Sequence, residues 1–375
     1  MIPASDAGAQ TFTTLRNFTF STGGNPSAGL SLSGDTLYGT TPVGGSLSAG
    51  TIFKINRDGT GFTNFYNFIG GTNGGSASGG VILSGSTLYG AGNTVFAINT
   101  NGTGFTNLHV FPATVYDSNH DVQTNSDGVS PWGGLLLSGN TLYGTARAGG
   151  ILGGGTVFKI NTNGTGFTVL RSFPQLDTFS ITNDGAWPRG TMILSGNTLY
   201  GTTQFGGPYR YLVENAHAGT VFAINTDGTD FRVLHGFNGA TEGVHPWGGV
   251  VLLGDTLYGT TSSGGSLGAG TVFKVNTNGT AFTNLHNFTG HSGWDGYSPY
   301  AGLIGSGSTL YGTTFIGGVP ENGTVFAINT DGTGFTNLHV FTATPPTEVN
   351  SDGMRPYAGL VLAGNVLFGT AQMLF

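Results

Sequence analysis

The sequence is dominated by one short phrase, Leu-Tyr-Gly, which returns about every 55 residues along the chain. Its aromatic residue falls at Tyr38, Tyr89, Tyr143, Tyr200, Tyr258 and Tyr311, and a seventh copy has Phe368 in that place. Each copy belongs to a longer unit that contains four short apolar runs. Because one structural unit is copied along the chain, the length of 375 residues does not imply several domains.

Composition indicates that the apolar runs are strands. Charged residues make up only 8% of the chain and Gly accounts for 70 residues, whereas surface helices need Lys, Glu and Ala. Thr, Val, Phe and Tyr dominate the runs, which favours strands. Turns such as Asn225-Thr226-Asp227-Gly228 tolerate the positive φ that hairpins require. Four antiparallel strands repeated radially describe a β-propeller.

We therefore predict an all-β fold, a seven-bladed β-propeller of four-stranded antiparallel blades that spans residues 1–375 as one domain. The seventh repeat stops early, and residues 12–18 align with the last run of the fifth repeat, 282–288. The N-terminal strand is therefore predicted to complete the C-terminal blade and close the ring, whereas an open solenoid would need polar caps. The predicted blades are 29–68, 80–111, 134–173, 191–237, 249–288, 302–341, and 359–375 with 11–18.

The long connections are predicted to share one face of the ring. In an antiparallel blade, the connection between the second and third strands lies on the same face as the connections between blades. All of the length variation falls in these two kinds of connection, for example 112–131, 174–188, 206–219 and 342–356. Function concentrates on variable loops over a rigid scaffold. We therefore expect binding or catalysis on this face.

Charge and composition disfavour several classes of function. A net charge of −7 argues against a nucleic-acid surface, which is usually basic. No apolar run approaches the ~18 residues of a membrane span, and the chain has no cysteine for disulfides. We expect a monomer whose partner is a carbohydrate or a cell-surface polymer. No cofactor is expected; calcium is the one ion left open, because turns such as 56–60 and 225–230 loosely resemble a calcium loop without its terminal Glu.

The repeated phrase resembles that of a known family. Leu-Tyr-Gly-Thr-Thr, Gly-x-Gly-Thr-Val-Phe and Asn-Thr-Asp-Gly-Thr-Gly-Phe together are similar to the GloVer tandem repeat, over nearly the whole chain. That repeat occurs in large secreted proteins of environmental bacteria, so the resemblance implies a bacterial propeller that is extracellular or attached to the cell surface. It transfers no catalytic residue, because the motif is structural.

Five repeats carry an acidic residue followed by Gly, and then an aromatic residue, just before the first strand. Flat aromatic faces stack on sugar C–H groups while carboxylates accept from hydroxyls, so a ring of these residues suits a glycan. The first two repeats lack the feature, which would make the groove one-sided. A structural alternative is that Asp-Gly forms a turn, Pro stiffens it, and the aromatic packs between blades. The predicted ligand-binding residues are Trp132, Trp187, Trp247, Tyr300, Tyr357, Asp127, Asp184, Glu242, Asp295 and Asp352.

The connection at 208–217 departs most from the repeat, since it replaces a Gly/Ser-rich segment with Tyr, Arg, Glu and His. These types together could carry out acid–base chemistry, for example β-elimination of an acidic polysaccharide. The alternative is an insertion that packs over the face or binds without catalysis. The candidate catalytic residues are Tyr209, Arg210, Tyr211, Glu214 and His217, with His120 from a neighbouring loop.

Four further histidines share one position of the repeat, and Arg16, Tyr66 and Arg171 also occupy it: they are His109, His235, His286 and His339. A position that tolerates His, Arg and Tyr is interpreted as the solvated face of an edge strand. Two hypotheses on function remain. The first is a secreted, non-catalytic binding or structural propeller with a glycan as ligand. The second is a polysaccharide-degrading enzyme, a lyase or glycoside hydrolase, that uses the long loops of the third and fourth blades.

Overall fold

The computed structural model describes residues 10–71, 77–117, 122–175, 183–208, 210–211, 216–290, 293–342 and 351–372. In this part of the chain there is one short 3-10 turn, Phe20–Thr22, and no α-helix. Everything else that is regular is antiparallel strand, grouped into sheets whose strands follow the order of the chain. The predicted all-β propeller of four-stranded antiparallel blades is confirmed.

Six blades are complete, and we number them in chain order. The strands of blades 1–3 are Ser31–Ser33, Thr36–Thr41, Thr51–Asn56 and Thr63–Asn67; Val81–Ser84, Thr87–Ala91, Thr94–Asn99 and Thr106–Val110; and Leu136–Ser138, Thr141–Ala146, Gly153–Asn161 and Thr168–Pro174. Those of blades 4–6 are Ile193–Ser195, Thr198–Phe205, Thr220–Asn225 and Arg232–Gly236; Val251–Leu253, Thr256–Thr261, Thr271–Asn276 and Thr283–Asn287; and Ile304–Ser306, Thr309–Thr314, Thr324–Asn329 and Thr336–Val340. In blade 4, Ala186–Pro188 also pairs with the second strand.

The core lies between neighbouring blades. Leu257 and Phe273 of blade 5 are fully buried and pack in one cluster with Val221 and Leu234 of blade 4. The Leu of the repeated phrase is buried in every complete blade, at 0% exposure. Since each blade buries its apolar face only against the next one, the repeat is stable as a ring of mutual contacts.

The prediction of a seventh four-stranded blade is wrong. After blade 6 the structure has a two-stranded hairpin, Val361–Ala363 with Val366–Phe368, and residues 10–19 form no strand. A fourth strand needs a third strand to supply its hydrogen bonds. In the described residues, the backbone pairing of the chain after the hairpin is limited to an isolated bridge between Met354 and Gln372. Residues 373–375 lie outside the described part.

The N-terminal segment nevertheless lies between blade 6 and blade 1. The ring of Phe12 stacks on His339 at 3.8 Å between centroids, and Phe18 contacts Phe53 edge-on at 4.9 Å. Leu15 and Phe18 pack against the same cluster as Phe368. The segment therefore makes the side-chain contacts of a fourth strand without its hydrogen bonds.

One stack recurs round the whole ring. In each copy, the Phe that opens the fourth run lies on the His, Tyr or Arg side chain of the preceding copy. The pairs are Phe62 on Arg16, Phe105 on Tyr66, Phe167 on His109, Phe231 on Arg171, Phe282 on His235, Phe335 on His286 and Phe12 on His339. The interpretation of this position as a solvated face is therefore wrong for all of these residues except Arg16: the others are partly buried packing residues.

Candidate ligand-binding site

Short bridges bring two kinds of connection together on one side of the ring. In blade 3, Val129 before the first strand pairs with Ala148 after the second strand, and in blade 5 Val244 pairs with Ser263. Equivalent bridges occur at Gly24 with Val43, Tyr297 with Ile316 and Met354 with Gln372. Where these bridges are described, the connections between blades and those between the second and third strands lie side by side, as the sequence predicts.

A sharp turn then directs one residue of each blade toward the ring axis. The residue before the proline that recurs in this connection has a left-handed backbone, with φ of 57° at Ser130, 59° at Trp187 and 57° at His245. A non-glycine residue in this region is uncommon and strained, and such strain is found at functional sites more often than elsewhere. The residues that follow the proline are Ser27, Trp132, Arg189, Trp247, Tyr300 and Tyr357. All of them line one cavity, together with Ser78 from the equivalent place in blade 2.

Buried threonines hold these axial segments in place. The first Thr after Leu-Tyr-Gly donates to the backbone carbonyl that follows the axial residue of the next blade: Thr202 to Gly248 at 2.9 Å and Thr260 to Ala301 at 2.8 Å. Thr145, which precedes the Arg189 blade, is 2% exposed and its hydroxyl has no partner. The Arg189 segment therefore lacks this bond, as does the Trp132 segment, because blade 2 has Ala91 in the place of the Thr.

The cavity has a volume of about 380 Å³ and its wall is divided by chemistry. Small residues and Pro42 line the side of the first two blades, whereas the other side has all of the large side chains: Trp132, Arg189, Trp247, Tyr300 and Tyr357. Trp247 lies 4.8 Å from Tyr300 between ring centroids, and Tyr300 lies 5.3 Å from Tyr357. The cavity is in the size range of small-molecule sites, which are mostly apolar with a few polar groups.

Arg189 is the charged group of the cavity. It is 7% exposed, and its guanidinium carbon lies 4.1 Å from the ring of Trp132 and 3.9 Å from that of Trp247. Its Nε and Nη1 atoms are buried and have no hydrogen-bond partner. Burial, with the nearby charge of Arg147, lowers the pKa of Arg189 to about 10, so the side chain stays charged at neutral pH.

Tyr357 supplies a neutral hydroxyl beside this cation. Burial raises the pKa of Tyr357 to about 12, although the charge of Arg189 opposes that shift. The phenol is therefore protonated throughout the physiological range and can donate as well as accept a hydrogen bond.

Of the ten predicted ligand-binding residues, the structure brings four to the cavity: Trp132, Trp247, Tyr300 and Tyr357. Trp187 occupies the left-handed position before Pro188, so its ring lies beside Phe205, at 4.9 Å and edge-on, rather than at the axis. Aligning the repeats on the aromatic residue concealed Arg189. Aligning them on the proline would have placed Arg189 in register with Trp132.

The five predicted carboxylates do not line the cavity; each lies against the fourth strand of the preceding blade. Asp295 is representative: its side chain is 2% exposed, Oδ2 accepts from Nε2 of His286 at 2.8 Å, and Oδ1 accepts from the backbone N–H of Thr289 at 3.2 Å. The other pairs are Asp127 with His109, Asp184 with Arg171, Glu242 with His235 and Asp352 with His339. Whether these carboxylates also contact a ligand stays a prediction, but their acceptor atoms already serve the blade interface.

This pairing left a signal in the sequence that our reasoning missed. Five of the six copies that carry His or Arg at this position, from His109 to His339, are followed by the acid-Gly pair; Arg16 is the exception, since 18–29 contains no acid. Tyr66 is followed by no acid in its connection, 68–80. Covariation of the two positions within one chain points to a contact between them.

The structure does not place the six candidate catalytic residues relative to the cavity. Tyr209, Glu214 and His120 lie outside the described residues, and of Arg210, Tyr211 and His217 only the backbone is described. That backbone forms a small hairpin, in which Arg210–Tyr211 pairs with Ala216–His217. Catalysis by this loop stays a prediction.

In the turns considered as calcium sites, side-chain oxygens accept hydrogen bonds from within the turn. In the turn at 56–60, Oδ1 of Asp58 accepts from the backbone N–H of Thr60 at 2.9 Å and from its hydroxyl at 2.6 Å. These bonds lower the pKa of the exposed Asp58 carboxyl. Among the residues described, no cluster of three or more His, Asp or Glu side chains is arranged for a metal ion.

Fold and site together define a β-propeller of repeated four-stranded blades with an aromatic cavity at the ring axis. The chain belongs to the family of the Gloeobacter/Verrucomicrobia repeat, whose model matches residues 4–173 and 213–373. This confirms the resemblance to the GloVer repeat. No curated protein sequence matches the chain. In the described part of the structure no helix is long and apolar enough to cross a membrane.

Solved structures share the architecture at low sequence identity. Oligogalacturonate lyase from Vibrio parahaemolyticus is 10% identical over 90% of this chain and 84% of that chain, with a TM-score of 0.54. An oligogalacturonate lyase in complex with manganese is 14% identical over 83% and 75%, with a TM-score of 0.51. A chain of a nidogen/laminin complex is 16% identical over 81% and 93%, with a TM-score of 0.46. The two lyase similarities, with TM-scores above 0.5, show the fold alone.

Proposed function

We propose that this protein is a non-catalytic, carbohydrate-binding propeller that works outside a bacterial cell, and that its ligand enters the cavity at the ring axis. The observation that carries the proposal is the convergence of Trp132, Trp247, Tyr300 and Tyr357 on one cavity of about 380 Å³. Four large aromatic side chains that form one wall are costly to leave in water and offer flat faces to a sugar ring. Low charge and membership of the repeat family support export.

Solvent exposure favours ligand binding over packing as the role of the aromatic residues of the cavity. Trp132 keeps 42% of its surface exposed although it lies at the ring axis. A residue that served only to join blades would be buried like the Leu of the repeat, at 0% exposure. The small residues of the first two blades leave the opposite side of the cavity open, so that a ligand has room to lie against the aromatic wall.

Calorimetry with a panel of soluble glycans tests the proposal. We expect Trp247→Ala to weaken binding by about tenfold or more, since central buried aromatics dominate binding energy. Trp294→Ala is the matched control, because Trp294 is 58% exposed and contacts Phe335 away from the cavity. Wild-type affinity in Trp247→Ala, or equal losses in both variants, would reject the site.

The same panel addresses the enzymatic alternative. Reaction mixtures are followed for new reducing ends and for the absorbance of unsaturated uronates. Binding without products agrees with the proposed function, whereas products would point to a hydrolase or a lyase.

A further inference from the structure

We propose that the axial cavity selects a ligand that carries a carboxylate, and that Arg189 is the residue that recognises this charge. The proposal rests on the proposed function for the sugar part of the ligand and adds its chemical class, an acidic sugar such as a uronic acid. The repeat itself does not require a cation at the axis, because the position of Arg189 holds Trp, Tyr or Ser in the other copies.

Arg189 is a buried cation for which the described residues provide no counter-ion. Its side chain forms none of the ion pairs between described residues. A buried charge is unfavourable unless it is paired and hydrogen-bonded. The faces of two indoles stabilise it only in part, and two of its nitrogens remain without acceptors.

A second cation, Arg147, adds to the uncompensated positive charge beside the cavity. The guanidinium carbon of Arg147 lies 5.2 Å from the ring of Trp132 and 4.2 Å from that of Trp187, so both arginines contact Trp132. Burial lowers the pKa of Arg147, and Tyr357 opposes that shift. Two like charges beside one ring are mutually unfavourable. An anion in the cavity would stabilise both.

Packing alone does not explain Arg189. An aromatic residue fills the corresponding position in four other blades and would fill this one without burying a charge. The acids nearest in the repeat cannot serve as internal partners, since Asp184 pairs with Arg171 and Glu242 with His235. The positive charge at this end of the cavity is therefore available to an anionic ligand. It is a local feature, because the chain as a whole has a net charge of −7.

The neighbouring rings narrow the class of anion. A small inorganic anion would contact the guanidinium and leave the wall formed by Trp247, Tyr300 and Tyr357 in water. A pyranose ring that carries a carboxylate covers this wall with its C–H face while its charge lies at Arg189. The neutral Tyr357 hydroxyl can bond to the same carboxylate or to a ring hydroxyl.

Calorimetry with matched sugars tests the inference. The probes are oligomers of galacturonate and glucuronate, the corresponding neutral galactose and glucose oligomers, a sulfated galactan oligomer, and sodium acetate. We expect the full chain to bind an acidic oligomer at least about tenfold more tightly than its neutral match, with an affinity that falls as salt is added. Preference for the sulfated oligomer over the carboxylated ones would overturn the assignment to a carboxylate.

Substitutions separate charge recognition from packing. Arg189→Gln should bring the acidic and neutral affinities together, and Arg189→Lys should keep part of the difference. Arg171→Gln should keep all of it, because Arg171 does not line the cavity. Circular dichroism checks that each variant folds, and the salt dependence of the wild-type chain tests the charge even if a variant does not fold. An acidic preference unchanged in folded Arg189→Gln, or absent in the wild-type chain, would overturn the inference.

The outcomes also separate this inference from the proposed function. If acidic and neutral oligomers bind equally and Trp247→Ala abolishes both, the proposed glycan site is supported and the role of Arg189 is refuted. Binding of acetate that depends on Arg189, without binding of any sugar, removes the glycan site and the sugar part of the inference together. If no probe binds, both proposals fail.

Discussion

Replacing Gly144 by alanine should force a methyl group into the ring of Phe158. Gly144 belongs to the repeated Leu-Tyr-Gly phrase, and in the blade it pairs directly with Phe158 of the next strand. A Cβ added at Gly144 would lie 2.5 Å from Cζ of Phe158 and 3.0 Å from Cδ2 of Leu135. Phe158 has no exposed surface, so its ring cannot move into solvent to relieve the contact.

The expected loss of stability follows from these contacts. Overpacking a core typically costs about 1–3 kcal/mol, and the smaller entropy of the unfolded alanine chain returns about 0.4–1 kcal/mol. We therefore expect Gly144→Ala to lower the free energy of unfolding by about 1.5 kcal/mol. Over 375 residues, an unfolding entropy of about 2.1 cal/mol/K per residue converts this into only about 2 °C. Urea denaturation is therefore the better assay.

A second substitution tests the cause. Phe158→Leu removes the atoms with which the methyl group collides, so the double variant should be more stable than the sum of the two single losses by about 1 kcal/mol. Gly29→Ala is the matched control, because the nearest atom to its Cβ is the carbonyl oxygen of Gly359 at 3.8 Å. Additive losses at Gly144 and Phe158, or an equal loss at Gly29, would refute the steric reason for the glycine.

Three further outcomes follow from the contacts between blades. Phe12→Ala should lower the free energy of unfolding by about 1–2 kcal/mol, because it removes a half-buried ring that stacks on His339; urea denaturation measures it. Burial lowers the pKa of His235 below its usual value, with Glu242 opposing the shift. The stability that this histidine contributes is therefore present above pH ~6.5 and lost as the pH falls through its lower folded pKa, which unfolding curves from pH about 7.5 to about 5 should show. Asp295→Ala should cost about 2–3 kcal/mol, since it leaves His286 without its buried acceptor.

Each of these outcomes has a control in the repeat. Phe20→Ala is the control for the stack, since Phe20 is 51% exposed and Phe12 46%, but Phe20 stacks on no ring among the described residues; a loss as large at Phe20 would argue against the contribution of the stack. His235→Tyr, the residue found at position 66, should reduce the acid sensitivity; an unchanged pH profile would contradict the role of His235. Asp35→Ala, at a side chain that is 90% exposed, should leave stability within about 0.5 kcal/mol. A loss there as large as at Asp295 would argue against the buried pair.

The repeat made much of the architecture predictable. Each Leu-Tyr-Gly copy marks a second strand, and each Asn at the end of the third strand begins a tight turn, as at Asn56. These features are local, because they depend on strand propensity, turn chemistry and the alternation of buried residues. The last blade was less predictable: Phe12–Phe18 resembles a fourth strand in sequence, yet a strand exists only where a partner provides hydrogen bonds.

The candidate site was predictable only in part. Trp132, Trp247, Tyr300 and Tyr357 were identified because an aromatic recurs after a turn signal. The side-chain partners of the five acidic residues were not predicted, since spacing along the chain does not show that Asp295 reaches back to His286.

The sequence by itself determined the unit of this protein: four short strands, the turns between them, and a glycine where an aromatic ring crosses from the neighbouring strand. Only the tertiary structure decided what meets at the axis and between blades. Arg189 lies between Trp132 and Trp247, which are more than fifty residues away on either side. Such contacts depend on the order and rotation of whole blades, because each blade presents one residue to the axis and the ring brings them together.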